Sequence, residues 1–187
     1  MEDIFHEIHI TVDHKDSFEE DCKNLNVKPI IIEMSSEIPT HSMTSSTLKN
    51  TSDRDVMINA QALGDSLKSL GYDVQRIKIE TVPWHPMAQI PSNFQYFEAH
   101  FAVEGFISDE NLKKLKLHKS RNLLKKSTGS VQMLTFRIYN INDSIFKEVV
   151  DNLILKLEGL NVKVIKTIRE FAIYDSNTSL DNQWLAL

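Results

Sequence analysis

Glu7-Ile8-His9-Ile10-Thr11-Val12 alternates polar with apolar side chains, and Glu98-Ala99-His100-Phe101-Ala102-Val103 does the same 91 residues later. A period of two marks a strand with one face in an apolar core. Side chains two apart on a strand point the same way, so each Glu shares a face with its His. Ile8, Ile10 and Val12, and Ala99, Phe101 and Val103, form the opposite faces and must pack under helices. Glu7, His9, Glu98 and His100 are therefore expected on the helix-free side of their strands.

The displacement persists beyond these stretches. Met133 follows Met43 by 90 residues, Leu157 and Leu160 follow Leu67 and Leu70, and Val164, Lys166 and Glu170 follow Val74, Arg76 and Glu80 by the same interval. A constant offset across separate elements indicates an internal repeat. In the first copy, Ser17 with Glu20 opens a short helix, and Pro29 to Met34 is a β-branched run that reads as a strand. His41 to Ser46 suits a short strand or an extended loop. Asp53 caps a helix carrying Val56, Ile58, Ala60, Leu63, Leu67 and Leu70 and closed by Gly71, and Val74 to Val82 returns as a strand.

The order β-α-β-β-α-β predicts an α+β protein: two ferredoxin-like units in one bilobal body. The first unit spans 1–83, a proline-bearing linker 84–95 and the second unit 96–174. A tail over 175–187 is expected to pack back through Trp184, Leu185 and Leu187. If the units pair with their helix-free faces inward, both Glu/His pairs line one cleft.

Composition narrows the function classes. The 187 residues carry a net charge of −5, which disfavours extended nucleic acid as a partner. The one cysteine, Cys22, cannot form an internal disulfide, and its acidic flank argues against a nucleophilic role. No basic leader and no long apolar run is present, so a cytoplasmic location without membrane association is expected. Against the acidic background, Lys113, Lys114, Lys116, Lys119, Arg121, Lys125 and Lys126 cluster around His118. Lys119 and Arg121 are candidates for steering a small anionic ligand such as a nucleotide, and Lys125 to Gly129 for cradling a phosphate, without the spacing of a P-loop. The hydroxyls and imidazole of His41 to Ser46 have no acid placed by sequence to complete a Ser-His-Asp set. His85, beside Trp84 in the linker, has nothing in the sequence to fix its position.

Two imidazoles facing one cleft suit general acid–base catalysis, one accepting a proton while the other supplies one. His9-Ile10-Thr11-Val12 resembles the His-hydrophobic-Thr/Ser-hydrophobic motif of the two-histidine phosphoesterases, which carry two such motifs on a duplicated fold. That resemblance implies His9 and His100 as the catalytic pair and Thr11 as a phosphate-holding hydroxyl, with no cofactor and no metal. Glu7 and Glu98 join them as substrate-binding candidates. In His100-Phe101-Ala102-Val103 the position of the second hydroxyl is held by Ala102. A further resemblance, of His9 to Asp13 followed by a helix, is to the paired modules of the glyoxalase/dioxygenase superfamily, which implies His and Glu as metal ligands. The tail, Tyr174-Asp175-Ser176-Asn177 with Leu180-Asp181 and Trp184, is similar to the ends of uncharacterised proteins and implies no activity.

The leading expectation is thus a metal-independent phosphoesterase acting on a small nucleotide or RNA-end phosphate. The alternatives are a non-catalytic binding or scaffolding protein for an anionic ligand or protein partner, and a metal-binding glyoxalase/dioxygenase-like protein. No oligomeric state is implied.

Overall fold

Each strand–helix–strand–strand–helix–strand series leaves two strand edges open, and how those edges are satisfied decides the architecture. The computed structural model describes residues 3–33, 40–124 and 131–181. The first series is β1 (Phe5–Val12), α1 (Phe18–Asn24), β2 (Lys28–Glu33), β3 (His41–Lys49), α2 (Asp53–Ser69) and β4 (Val74–Thr81). The second is β5 (Tyr96–Glu104), α3 (Asp109–Leu115), β6 (His118–Asn122), β7 (Val131–Tyr139), α4 (Asp143–Gly159) and β8 (Lys163–Asp175).

The strands form one closed antiparallel barrel in the order β1-β3-β2-β6-β7-β5-β8-β4, with β4 returning to β1. Two seams join the series. Lys78 to Thr81 of β4 pair with residues 171–175 of β8, and Ile32 and Glu33 of β2 pair with Asn122 and Arg121 of β6. This overturns the expected fold class. The chain is not an α+β duplication of ferredoxin-like units in a bilobal body; among the described residues the seams merge eight strands into a single barrel carrying four α-helices. Closure of the barrel pairs its sheet edges and turns the helix-free faces inward, toward a lumen.

Local sequence builds the outer layer. Ser52 accepts the Asp55 N–H to start α2, and Asn142 accepts the Ile145 N–H to start α4. Gly71, just past α2, takes a left-handed φ of +83°, which its missing side chain permits. Ile8, Ile10 and Val12 pack with Phe18, Val56, Ala60 and Leu67 in one apolar cluster. Phe97, Ala99 and Phe101 pack with Phe146, Val150 and Leu157 in a second. Ser17 precedes α1 as read, although its side chain makes no capping bond. His41 to Ser46 lies within β3, not in a loop. Lys125 to Gly129 and Trp184, Leu185 and Leu187 lie outside the described residues, as does Met34 at the end of the run read as a strand. No helix among the described residues is long and apolar enough to cross a membrane.

Candidate acid–base site in the barrel lumen

Parity along the strands sorts side chains into the apolar layer or the lumen, and the lumen is charged. Glu7 and His9 of β1, Arg76, Lys78 and Glu80 of β4, Tyr96, Glu98 and His100 of β5, Arg137 of β7 and Glu170 of β8 share the face opposite the helices. Burial of so many charges is tolerated only when each is paired.

At the centre stands Lys78. Its ammonium lies 2.7 Å from Glu80 Oε1 and 2.5 Å from Glu98 Oε2. Arg137 donates to the other oxygen of Glu98 through Nε at 2.7 Å. Against the cost of burial, Arg137 and Lys78 hold Glu98 well below the usual carboxylate range, and Glu80 and Glu98 hold Lys78 well above the usual amine range.

Toward one end, Arg76 donates through Nε to Asp175 at 2.9 Å and through Nη1 to Asp181 at 2.9 Å. Asp181, on a 3₁₀ turn past β8, also accepts from Arg137 Nη2 at 2.6 Å. Tyr96 completes the cluster by donating its hydroxyl to Asp175 at 2.5 Å. Asp181 is 1% exposed, so this part of the tail closes on the lumen as a buried counter-ion to two arginines.

The histidines occupy the remaining space. His9 Nδ1 donates to the Thr44 carbonyl at 3.2 Å, which turns Nε2 toward Glu80 at 3.3 Å and Glu7 at 3.5 Å. His100 places Nδ1 3.0 Å from Thr135 Oγ1, and its Nε2 lies 3.2 Å from Glu170 and 3.7 Å from Glu98. Ligating atoms of Glu80, Glu98 and His100 all fall within 4.8 Å of one another. Glu80 therefore contacts His9 directly and acts on His100 through its charge, from within 4.8 Å. An Nε2 that faces only carboxylates favours its protonated form. Against burial, the bond to Glu80 raises the His9 pKa, and the bond to Glu170 raises that of His100. Burial and repulsion from Glu80 push Glu170 up. The side chains of His9 and His100 keep 14% and 25% of their surface exposed, so the lumen is not sealed around them.

The structure thus brings Glu7, His9, Glu98 and His100 into one interior, with Thr11 on the same face of β1 and 3% exposed. Glu98 is fully committed to Lys78 and Arg137. Lys119 and Arg121 alternate with the inward His118 and Ser120, so they point outward, and Arg121 lies 4.0 Å from Glu33 on the neighbouring strand. They do not join the histidines. Ser42, in the hydroxyl-rich strand, meets His14 Nδ1 at 2.8 Å. Cys22 is buried, and desolvation and its acidic neighbours push its thiol up to about 12.

Sequence reading missed Lys78, Glu80, Arg137, Glu170 and Asp181 as members of the site. The parity that exposed Glu7 and His9 also marks Arg76, Lys78 and Glu80, which alternate with Ile77 and Ile79. Asp181 lies outside any strand and left no such signal.

Comparison with known proteins adds no assignment. No protein-family model matches the chain, and no curated protein matches it. A crystal structure of an unknown protein from Galdieria sulphuraria is similar over 91% of this chain and 99% of its own, at 16% identity and a TM-score of 0.28.

Proposed function

We propose that the barrel lumen is a metal-independent general acid–base site in which His9 and His100 are the proton-transferring pair. The observation that carries this reading is the position of Glu80, 3.3 Å from His9 Nε2 and within 4.8 Å of a ring nitrogen of His100, close enough for its charge to act on both imidazoles. Each histidine also has a carboxylate of its own, Glu7 or Glu170, to orient its ring. This is the supporting geometry that acid–base pairs need.

A metal in the same cluster is disfavoured by Lys78, whose ammonium already bridges Glu80 and Glu98. Loss of one proton leaves one imidazole as base and the other as acid. In hydrolysis the base takes the proton of the attacking water as its oxygen bonds to the reacting centre, and the acid protonates the departing oxygen. The two histidines then hold exchanged protonation states, and exchange with solvent at their partly exposed rings returns them to the starting state.

The substrate class suggested by the His9-x-Thr11 resemblance is a small phosphodiester, of which a nucleotide cyclic phosphate is the simplest case. The test is turnover of nucleotide cyclic phosphates by the wild type, His9→Ala and His100→Ala at matched thermal stability. Each substitution is expected to lower kcat by at least about 100-fold, the lower bound of a positioned proton-transfer group. Turnover that survives both substitutions removes the proposal.

A further inference from the structure

A second group of metal-ligating side chains lies outside the barrel and belongs to none of the chemistry above. His6 extends from the outer face of β1, Asp53 opens α2, and His85 precedes the 3₁₀ turn Pro86–Gln89 in the segment between β4 and β5. His6 Nε2 lies 3.0 Å from Asp53 Oδ1, and His85 Nε2 lies 3.3 Å from the same oxygen. The three ligand atoms fall within 4.8 Å of one another. The imidazoles meet edge to face, with ring centroids 5.7 Å apart.

We propose that His6, Asp53 and His85 form a binding site for a divalent transition-metal ion such as Zn²⁺. Four ligands about 2.0–2.1 Å from a tetrahedral ion stand a little over 3 Å apart, the spacing that Asp53 Oδ1 already keeps from both nitrogens. Two imidazoles and one carboxylate select Zn²⁺ and its neighbours over Mg²⁺ or Ca²⁺, which prefer all-oxygen shells. Asp53 is 44% exposed while the histidine side chains are 1% and 6% exposed, so water has a route to the fourth position.

A second observation points the same way. His6 is buried, and among the described residues its Nδ1 has no hydrogen-bond partner, so Asp53 is its one polar contact. Burying an imidazole for a single half-exposed carboxylate is poorly compensated, and a metal bond at Nε2 would add a far stronger interaction at the same edge of the ring, with the ring proton on Nδ1. The carboxylate also offsets the positive end of α2 on which the ion sits. One contact must yield. The Met87 N–H donates to His85 Nδ1 at 3.3 Å, and ligation through Nε2 moves the ring proton to Nδ1.

The ion would tie the segment between the two strand–helix series to β1 and α2. The site is independent of His9 and His100. Its test is titration of tag-free, chelator-treated protein with Zn²⁺, by calorimetry and by competition with a colorimetric chelator. One ion per chain is expected. Asp53→Asn and His85→Ala should each weaken binding by at least about 100-fold, the upper end of what changes beyond the direct ligands cost. Asp53 is half-exposed and His85 lies outside the regular strands and helices, so these variants stay informative if His6→Ala fails to fold. Absence of saturable binding overturns the proposal. So does binding that survives both substitutions, or binding lost in His100→Ala but kept in His85→Ala, which places the ion in the lumen.

Discussion

Lys78 reaches from β4 across the lumen to Glu98 on β5, with its ammonium 2.5 Å from Glu98 Oε2 and 2.7 Å from Glu80 Oε1. One cation from the first strand–helix series thereby neutralises a carboxylate from each. Lys78→Met should destabilise the fold by about 3–5 kcal/mol, the cost of leaving buried charge uncompensated. Adding Glu80→Gln should restore part of that loss. Urea unfolding of the two variants measures it, and a single variant no less stable than wild type would show that the pairing is dispensable.

Asp181 tests the tail. Held by Arg76 and Arg137, it is the buried counter-ion at one end of the barrel. Asp181→Ala is expected to cost about 3–5 kcal/mol, because two buried guanidinium groups then lose a shared partner. A change within about 0.5 kcal/mol, as at ordinary surface positions, would mean that the tail does not dock there.

The histidines tie stability to pH. Their folded pKa values lie above the ordinary value, so their stabilising contribution is complete below the unfolded value and is lost as pH rises through the folded ones. Thermal midpoints should therefore fall as pH rises from about 6.5 upward. The slope should flatten in the double variant His9→Gln, His100→Gln. An unchanged slope would assign it to other groups.

Glu170 works in the opposite sense from Glu98. Burial and Glu80 raise its pKa, so its ionised form at neutral pH costs stability. Glu170→Gln should leave the melt at pH 7 unchanged or higher while moving the His100 pKa down. A melt that drops sharply with no shift at His100 would break the assignment of the pair.

The repeat and the partition of faces were legible because both rest on periodicity. Glu7 and His9 against Ile8 and Ile10 declare which side meets the helices, and the 90-residue offset of Glu170 from Glu80 declares a second copy. Closure was not legible. Alternation reports the face a side chain occupies and says nothing of which edge a strand pairs with. The seams are short: Ile32 and Glu33 meet Asn122 and Arg121 over two residue pairs, within a basic stretch that reads as a solvated surface. That stretch misled the site as well, because Lys119 and Arg121 stand out by charge yet point away from the lumen. The cations that serve the site, Lys78 and Arg137, are single charges inside strands and formed no run. His6 and Asp53 lie 47 positions apart, and only the docking of α2 on β1 brings them together.

The charge of Glu80 acting on both imidazoles is the heart of the acid–base reading, and histidine-detected NMR tests it most directly. The ring nitrogens of His9 and His100 are followed through pH titrations of wild-type protein and of Glu80→Gln. Both histidines are expected to titrate above the ordinary value in the wild type, with His9 Nδ1 protonated throughout, and both to shift downward together in Glu80→Gln. If the substitution moves one histidine and leaves the other in place, the two imidazoles do not share Glu80 and the paired site is contradicted.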